Sequence, residues 1–406
     1  MPSSVLLSKY AEVAVRVGVG LESGQRLLIR SSVDVVEFTR HLVDAAYRAG
    51  ASNVDVMWSD DHISRSRFEH GPPEAAGVVT TASRAAMAAF EAGDHFLYVS
   101  ANDPDALAGI DPARIAGFQR TNQAAVEPLT RAQGTLQRQW SVVAAPNPAW
   151  ATSVFGDTDE KEAIERLWSA IFRACRVDQD DPVAAWHAHV SDLNARSRYL
   201  TSRSFTSLRY EGPGTELTLG LPEETIWIGG SAGGSFVPNI PTEEVFCGPH
   251  RLKGDGLVTA TKPLSLFGNL VEDFSFRVAD GRIVEATAAK GQAVLDQLLA
   301  TDEGSVRFGE CAMVPMSSSV AAEGLVWNNT LYDENDGCHI AVGRAYPINI
   351  QGGPEMTVDE LTGAGLNMST THVDFVVGSA QLNVYGITPE GSEEPIISNG
   401  EWGFTP

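Results

Sequence analysis

The chain has 406 residues, 29 basic against 52 acidic side chains, and a formal net charge of −23. A surface this acidic repels phosphate backbones and anionic headgroups, which excludes nucleic-acid binding through a basic face and docking on anionic membranes. An apolar share of 43% is ordinary for a globular protein, no stretch reaches the roughly 20 apolar residues of a spanning helix, and the length points to two domains.

Lys9, Glu12 and Arg16 interrupt the apolar run that a signal peptide would need, and Cys175, Cys247, Cys311 and Cys338 sit far apart with no CxxC pair. Both features predict a reducing, cytoplasmic setting without a disulfide framework. In chain order, Ser3 or Ser4 caps a helix carrying Leu6, Leu7, Tyr10, Val13, Ala14 and Val17, which stops near Gly18 and Gly20. A short apolar strand follows at Arg26 to Arg30, then an amphipathic helix through Phe38, Leu42, Ala45 and Ala46 that ends at Gly50. Further strands are expected from Asn53 to Trp58, His95 to Val99 and Gln139 to Ala145. A helix from Glu160 to Arg176 places Ile164, Leu167, Trp168, Ile171 and Phe172 on one face. Short apolar strands separated by helices imply an α/β N-terminal domain with a largely parallel, doubly wound sheet.

The pattern changes after a helical stretch from Val183 to about Ser202. Strand-like runs and Gly/Pro turns then dominate, at Glu216 to Leu219, Thr225 to Ile228, Leu257 to Ala260 and Asp273 to Val278, with a helix expected from Thr287 to Leu299. The expected organisation is an α/β domain over 1–205 and a mixed α+β, strand-rich domain over 206–406. Gly229 to Gly234 (GGSAGG) is the most flexible-looking spot.

Several motifs carry little chemistry. The GGSAGGS loop lacks the GK[ST] ending of a phosphate loop and reads as a hairpin connection, and Gly18-Val-Gly20 has no third glycine at the right offset. Asp333 to Gly337 (DENDG) has its glycine one position early for a calcium loop and no closing glutamate. His187 and His189 stand two apart in a predicted helix and so point in different directions, as surface or boundary residues. Each cysteine sits in an apolar run, as buried structural cysteines do.

One constellation is stronger. In Ser369 to Gly378, Thr371, Val373, Phe375 and Val377 form one alternating strand face, and His372 and Asp374 the other, where an imidazole and a carboxylate side by side can hold one cation. The plainer alternative for an isolated HxD is a hydrogen-bonded surface pair. Glu310 ends a strand-like run and is followed by apolar Cys311 to Val314, and Glu243 and Glu244 precede Val245-Phe246. A carboxylate in such surroundings costs several kcal/mol unless it meets a cation or an arginine. His339 lies in apolar Cys338 to Val342, where a satisfied core histidine is the alternative; Tyr346, seven residues on, shares its face if that segment is helical. Together these residues supply the nitrogen and oxygen donors that zinc, cobalt or manganese accept.

The segments Asn239 to Phe246 (NIPTEEVF), Gly309-Glu310, Thr330 to His339 (TLYDENDGCH), Ala345-Tyr346 and Asn367 to Gly378 (NMSTTHVDFVVG) resemble the signature of the M29 family of metallo-aminopeptidases, across most of the second half with the intervals intact. The resemblance implies two divalent metal ions held by two glutamates, two histidines, an aspartate and a tyrosine. Matched segment by segment, these fall on Glu244, Glu310, His339, Tyr346, His372 and Asp374. It further implies an α/β N-terminal domain, a C-terminal domain carrying the metals, peptide substrates, and a homodimer enclosing the active sites. Two departures, Cys247-Gly248 after the Glu-Val-Phe run and Val376 where methionine is common, touch no expected ligand.

Two metals roughly 3.5–4 Å apart can share a water and lower its pKa toward neutrality, while polarising the scissile carbonyl and anchoring a free α-amino group. Such chemistry expects a general base, for which Glu310 and Glu334 are candidates, and an oxyanion donor or further ligand, for which Tyr346 is one. For Glu334, a structural cap is the alternative. A second reading takes His339, His372 and Asp374 alone as the two-histidine, one-carboxylate triad of a mononuclear non-haem iron ring-cleaving dioxygenase. A third is a non-enzymatic acidic scaffold that keeps the fold.

Overall fold

The computed structural model describes residues 2–101, 103–156, 158–231, 234–266 and 269–406. Packing groups the chain into two compact units, Met1–His187 with Gly234–Pro241, and Ala188–Gly233 with Thr242–Pro406. The expected boundary near 205 lies just past the end of the helix Pro182–Ser202, whereas packing assigns most of that helix to the second unit.

The first unit opens on the helix Ser4–Val13, capped by Ser3 Oγ accepting from the Leu6 amide. The helix continues into a π-helical stretch, Ala14–Val19, and stops at Gly20 in the left-handed region. A Cβ at Gly20 would strike the Ser235 carbonyl, so the glycine is required by close packing as well as by φ. Four strands, β1 (Arg26–Ser32), β2 (Asn53–Ser59), β3 (His95–Ser100) and β4 (Trp140–Ala144), form a sheet of order β2-β1-β3-β4 with every pairing parallel. This is the expected α/β architecture. The helix Val36–Arg48 buries Phe38, Leu42, Ala45 and Ala46, and the helix Glu160–Ala174 buries Leu167, Trp168, Ile171 and Phe172. Tyr10 stacks on Phe38 with ring centroids 4.9 Å apart, which ties the first helix to the next.

The second unit is strand-rich, as expected, and its strands form two antiparallel sheets. They are β5 (Ser207–Gly212), β6 (Thr215–Gly220), β7 (Ile228–Gly229), β8 (Val245–Cys247), β9 (Gly254–Thr259), β10 (Leu264–Leu266) and β11 (Asn269–Ala279). They continue with β12 (Arg282–Lys290), β13 (Phe308–Met313), β14 (His339–Gly343), β15 (His372–Val376), β16 (Asn383–Ile387), β17 (Glu393–Ser398) and β18 (Glu401–Trp402). The larger sheet has the order β10-β11-β9-β6-β5-β16-β17-β18, with β12 also paired to β11. The smaller has the order β15-β14-β13-β8-β7. Phe274 and Phe276 of the larger sheet meet Phe375 of the smaller at centroid distances of 5.7 and 5.2 Å, and this aromatic contact anchors the core between the sheets.

Two expected elements change. The helix expected from Thr287 begins only at Gln292, after Gly291 in the left-handed region. Residues Arg282–Lys290 instead form β12, turned back on β11 through Asp280-Gly281, both at positive φ, as a two-residue hairpin requires. Alanines at 286, 288 and 289 carry helix propensity, and cross-strand pairing overrides it. Thr225 to Ile228 is not a strand; Thr225 makes an isolated bridge to Ile350, and pairing begins at Ile228. Of the expected flexible loop Gly229 to Gly234, positions 232 and 233 lie outside the described residues. Among the described residues no helix is long and apolar enough to cross a membrane.

Candidate metal centre

The smaller sheet builds the site by alternation. Glu310 on β13 pairs with Ala341 on β14, which pairs with Asp374 on β15, so the three side chains stand in one row on one face. His339 pairs with Ala312 and His372 with Gly343, which puts both imidazoles on that face as well. Ala312, Ala341 and Gly343, interleaved among the large polar groups, leave the space that those groups fill. The opposite face presents Cys311, Ile340, Val342 and Phe375 to the core.

One irregularity makes this possible. The pairing of β13 with β14 shifts between Phe308, opposite Val342, and Glu310, opposite Ala341. Gly309 is the extra residue of this bulge, and a Cβ there would collide with the backbone at Arg344. Without the bulge, Phe308 and Glu310 would share a face. With it, Phe308 enters the core and Glu310 joins the histidines.

The resulting distances are short. His339 Nε2 lies 3.1 Å from Glu244 Oε2 and 3.4 Å from Glu310 Oε1. His372 Nε2 lies 3.6 Å from Glu310 Oε2 and 3.3 Å from Asp374 Oδ1. Donor atoms of Glu244, Glu310 and His339 fall within 4.8 Å of one another, and so do those of Glu310, His372 and Asp374. Glu310 belongs to both groups, one oxygen toward each histidine. Among the described residues, His339, His372 and Asp374 do not make one such group, contrary to the single-metal triad.

The second nitrogens fix the rings. His339 Nδ1 is 3.2 Å from the Gly337 carbonyl and His372 Nδ1 is 2.6 Å from the Arg344 carbonyl. A carbonyl only accepts, so each Nδ1 carries the proton and each Nε2 faces the carboxylates with its lone pair or a second proton. Asp374 Oδ1 is buried and faces His372 Nε2. Three carboxylates converging on two imidazole nitrogens in a buried site call for positive charge, and the nitrogen and carboxylate donors suit a borderline divalent metal.

The titrations express the same crowding. Burial pushes Glu310 up to about 7, with His339 pulling down and Glu244 and Asp374 adding to the rise. Burial alone would lower His372, but Asp374 and Glu310 more than reverse this and hold it at about 9. His339 is raised well above the usual imidazole value, Glu244 and Glu310 overcoming burial. Asp374 is lowered, its burial outweighed by His372.

The remaining expected residues border this cluster. Glu334 begins a single 3₁₀ turn, Glu334–Asp336, behind the short helix Thr330–Asp333. Burial, then Asp374 and Glu244, raise its carboxyl well above the ordinary range, which places it within the field of the site. The cap of that helix is Asn329, whose Oδ1 accepts from the Leu331 amide at 3.2 Å, while Asp333 accepts from the Trp327 and Asn329 amides at 3.0 and 2.9 Å. Tyr346 follows the end of β14, so the helical relation to His339 does not hold. Its ring nevertheless lies 5.0 Å from the His372 ring, and burial together with Glu310 and Asp374 keeps its phenol protonated.

Sequence reasoning missed the support beneath Glu244. Glu243 Oε1 accepts from Ser319 Oγ at 2.7 Å, its Oε2 lies 3.6 Å from His189 Nε2, and its amide donates to Asn335 Oδ1 at 2.7 Å. Asn335 lies in the DENDG run, and its polar character inside that turn was the available signal. His189 is thus a boundary residue with a partner. The four cysteines are buried, as expected.

The sequence profile of the thermophilic metalloprotease family M29 matches residues 4–402. Aminopeptidase 2 of Geobacillus stearothermophilus is 42% identical over 403 residues, with 98% of each chain covered. Aminopeptidase AmpS of Bacillus subtilis (strain 168) is 42% identical over 405 residues, and aminopeptidase T of Thermus thermophilus 42% over 401, each with 98% of both chains covered. The solved structure of wild-type AmpT from Thermus thermophilus superposes with a TM-score of 0.90 at 40% identity, covering 98% of both chains.

Proposed function

The chain belongs to the thermophilic metalloprotease family M29, and from that premise we propose that it is an aminopeptidase working with two divalent metal ions, removing residues one at a time from peptide N-termini. Membership itself makes the chain a metal-dependent hydrolase of the aminopeptidase type. The number of ions and the residue roles are our reading. The observation that carries it is Glu310, whose two oxygens reach separately toward His339 and His372 at 3.4 and 3.6 Å.

In this reading Glu244, Glu310 and His339 hold one ion, Glu310, His372 and Asp374 the other, with Tyr346 beside the second. Zinc, cobalt or manganese fits these donors. Two such ions, when bound, supply Lewis acidity toward the peptide carbonyl and lower the pKa of a water between them. Gly337 and Arg344 carbonyls hold the imidazoles in the tautomer that leaves Nε2 free. The Glu334 carboxyl, raised by burial and its acidic neighbours, is suited to take a proton from the attacking water and return it to the leaving amine. The Tyr346 hydroxyl, kept protonated, is suited to donate to the oxyanion that develops on the carbonyl.

The test is reconstitution. Chelated protein should be inactive on aminoacyl-p-nitroanilides and recover with about two equivalents of zinc, cobalt or manganese per chain. Saturation at one equivalent would refute the two-ion reading, and inactivity of fully metallated protein on every aminoacyl substrate would refute the aminopeptidase reading. We also propose a homodimer, which sedimentation equilibrium tests directly, and a cytoplasmic location.

A further inference from the structure

The first unit contains a cleft of about 960 Å³ that belongs to none of the chemistry above. It opens beside the carboxyl-terminal parts of β1, β2 and β3, where Arg30, Trp58 and Tyr98 line it. In an open parallel sheet this is the end at which ligands bind. Arg67, from the helix Asp61–His70, and Arg84, from the helix Thr81–Glu91, close two further sides.

The three arginines are held in place but not neutralised. The Arg30 guanidinium lies 5.6 Å from the Tyr98 ring centroid, and that of Arg67 lies 4.9 Å from the Phe118 ring centroid. Arg84 donates to the Val79 carbonyl at 2.7 Å and to Thr81 Oγ1 at 3.3 Å. Among the described residues none of the three meets a carboxylate at ion-pair distance, whereas the adjacent Arg65 pairs with Glu69 at 2.7 Å. One acid, Asp60, lines the cleft, and its carboxylate caps a helix by accepting from the Ile63 amide at 3.1 Å. The cleft therefore carries local positive charge inside a chain of net charge −23. Trp58, Ile63 and Val78 add exposed apolar surface at 44, 63 and 55% accessibility.

We propose that this cleft is a binding site for acidic peptide segments, whose carboxylates the three arginines receive while Trp58 covers an apolar portion. The ligand class follows from charge and shape. Planar guanidinium forks match carboxylates bidentately, and a cleft of this volume holds several residues of an extended chain. An acidic peptide is repelled by the rest of this protein, and the cleft is where that repulsion reverses. The site requires no metal, so it stands or falls apart from the two-ion reading.

The test uses the whole metallated protein and a fluorescein-labelled tetra-glutamate peptide with an acetylated N-terminus, which offers the aminopeptidase no free amine. Fluorescence anisotropy should show saturable binding that weakens as salt rises. The double variant Arg30→Ala/Arg84→Ala should bind at least tenfold more weakly, and Arg67→Ala alone should also weaken binding. Turnover of a neutral aminoacyl-p-nitroanilide should be unchanged in these variants, which shows that they fold. The proposal is overturned if no saturable binding occurs, if acetylated tetra-glutamine binds equally well, or if the arginine variants bind like the parent. It is overturned in its ligand class if inorganic phosphate displaces the peptide at concentrations where glutarate has no effect. It fails too if the variants change the sedimentation coefficient, because the cleft is then covered by a second copy of the chain.

Discussion

Glu243 and Glu244 are neighbours in the sequence and turn to opposite sides of the segment that enters β8. Glu244 Oε2 lies 3.1 Å from His339 Nε2, while Glu243 is engaged by Ser319 Oγ at 2.7 Å and by His189 Nε2 at 3.6 Å. One carboxylate faces the histidine cluster and the other anchors the backbone that presents it. Glu244→Gln should therefore lower bound metal by about one ion per chain, whereas Glu243→Gln should leave the stoichiometry intact and lower the thermal midpoint, since a buried hydrogen bond to a charged group is worth roughly 1.5–3 kcal/mol. Elemental analysis and calorimetry read the two effects separately, and loss of an ion from the Glu243 variant would contradict this division.

Glu310 is predicted to matter to both ions. Glu310→Ala should reduce binding at the two positions together, while His339→Ala or His372→Ala should weaken one more than the other. Isothermal titration with zinc checks this, and a Glu310 variant that still takes up two ions tightly would remove the shared-ligand reading.

Glu334 should separate from the ligands kinetically. Glu334→Gln keeps the shape and loses the base, so kcat should fall by about 10²- to 10⁴-fold with metal content unchanged. Loss of metal in this variant would make Glu334 a ligand instead.

Tyr346→Phe removes one hydroxyl and little volume. Loss of an oxyanion donor costs about 10²- to 10³-fold in kcat, with KM little affected. If instead the variant loses an ion and kcat recovers at high metal concentration, the hydroxyl serves as a ligand.

Metal-free protein should lose stability as pH rises. Glu310 has an ordinary value of 4.5 and a folded value of about 7, so between these the folded chain keeps a proton that the unfolded chain has released, and stability falls with rising pH. His372 moves from 6.5 to about 9, so its contribution is complete below 6.5 and is lost as pH rises through 9. Asp374 is lowered, and its contribution is lost only as pH falls below its ordinary 3.8, outside this window. The thermal midpoint measured in chelator should fall steadily from pH 5 to pH 10, and divalent metal should flatten the curve. A midpoint that climbs between pH 5 and 9 would contradict the assignment.

What could be read in the sequence was local. His372 and Asp374 share a face because strand side chains alternate with period two, and five residues suffice to see it. The helices at Val36–Arg48 and Glu160–Ala174 were legible for the same reason, each burying a stripe at helical spacing. The segment Arg282–Lys290 was not, because its alanines favour a helix in isolation and only pairing with β11 makes it a strand. The choice of Glu244 over Glu243 and the inclusion of Tyr346 came from the family resemblance, since no periodicity distinguishes adjacent glutamates ahead of a strand of three residues.

Composition and order by themselves determined the charge, the α/β first half, the strand-rich second half, and the inventory of buried acids that need a partner. Burial costs and side-chain periods act over a few residues, and they are written in the chain. Tertiary structure alone decided that residues as far apart as Glu244 and Asp374 converge, that Gly309 resets the alternation so that Glu310 faces the histidines, and that Glu310 stands between them. Those outcomes depend on which strands pair and in what register, and on a backbone approach at Arg344 that only a glycine admits. Register is set by contacts across the sheet, so it cannot be read along one strand.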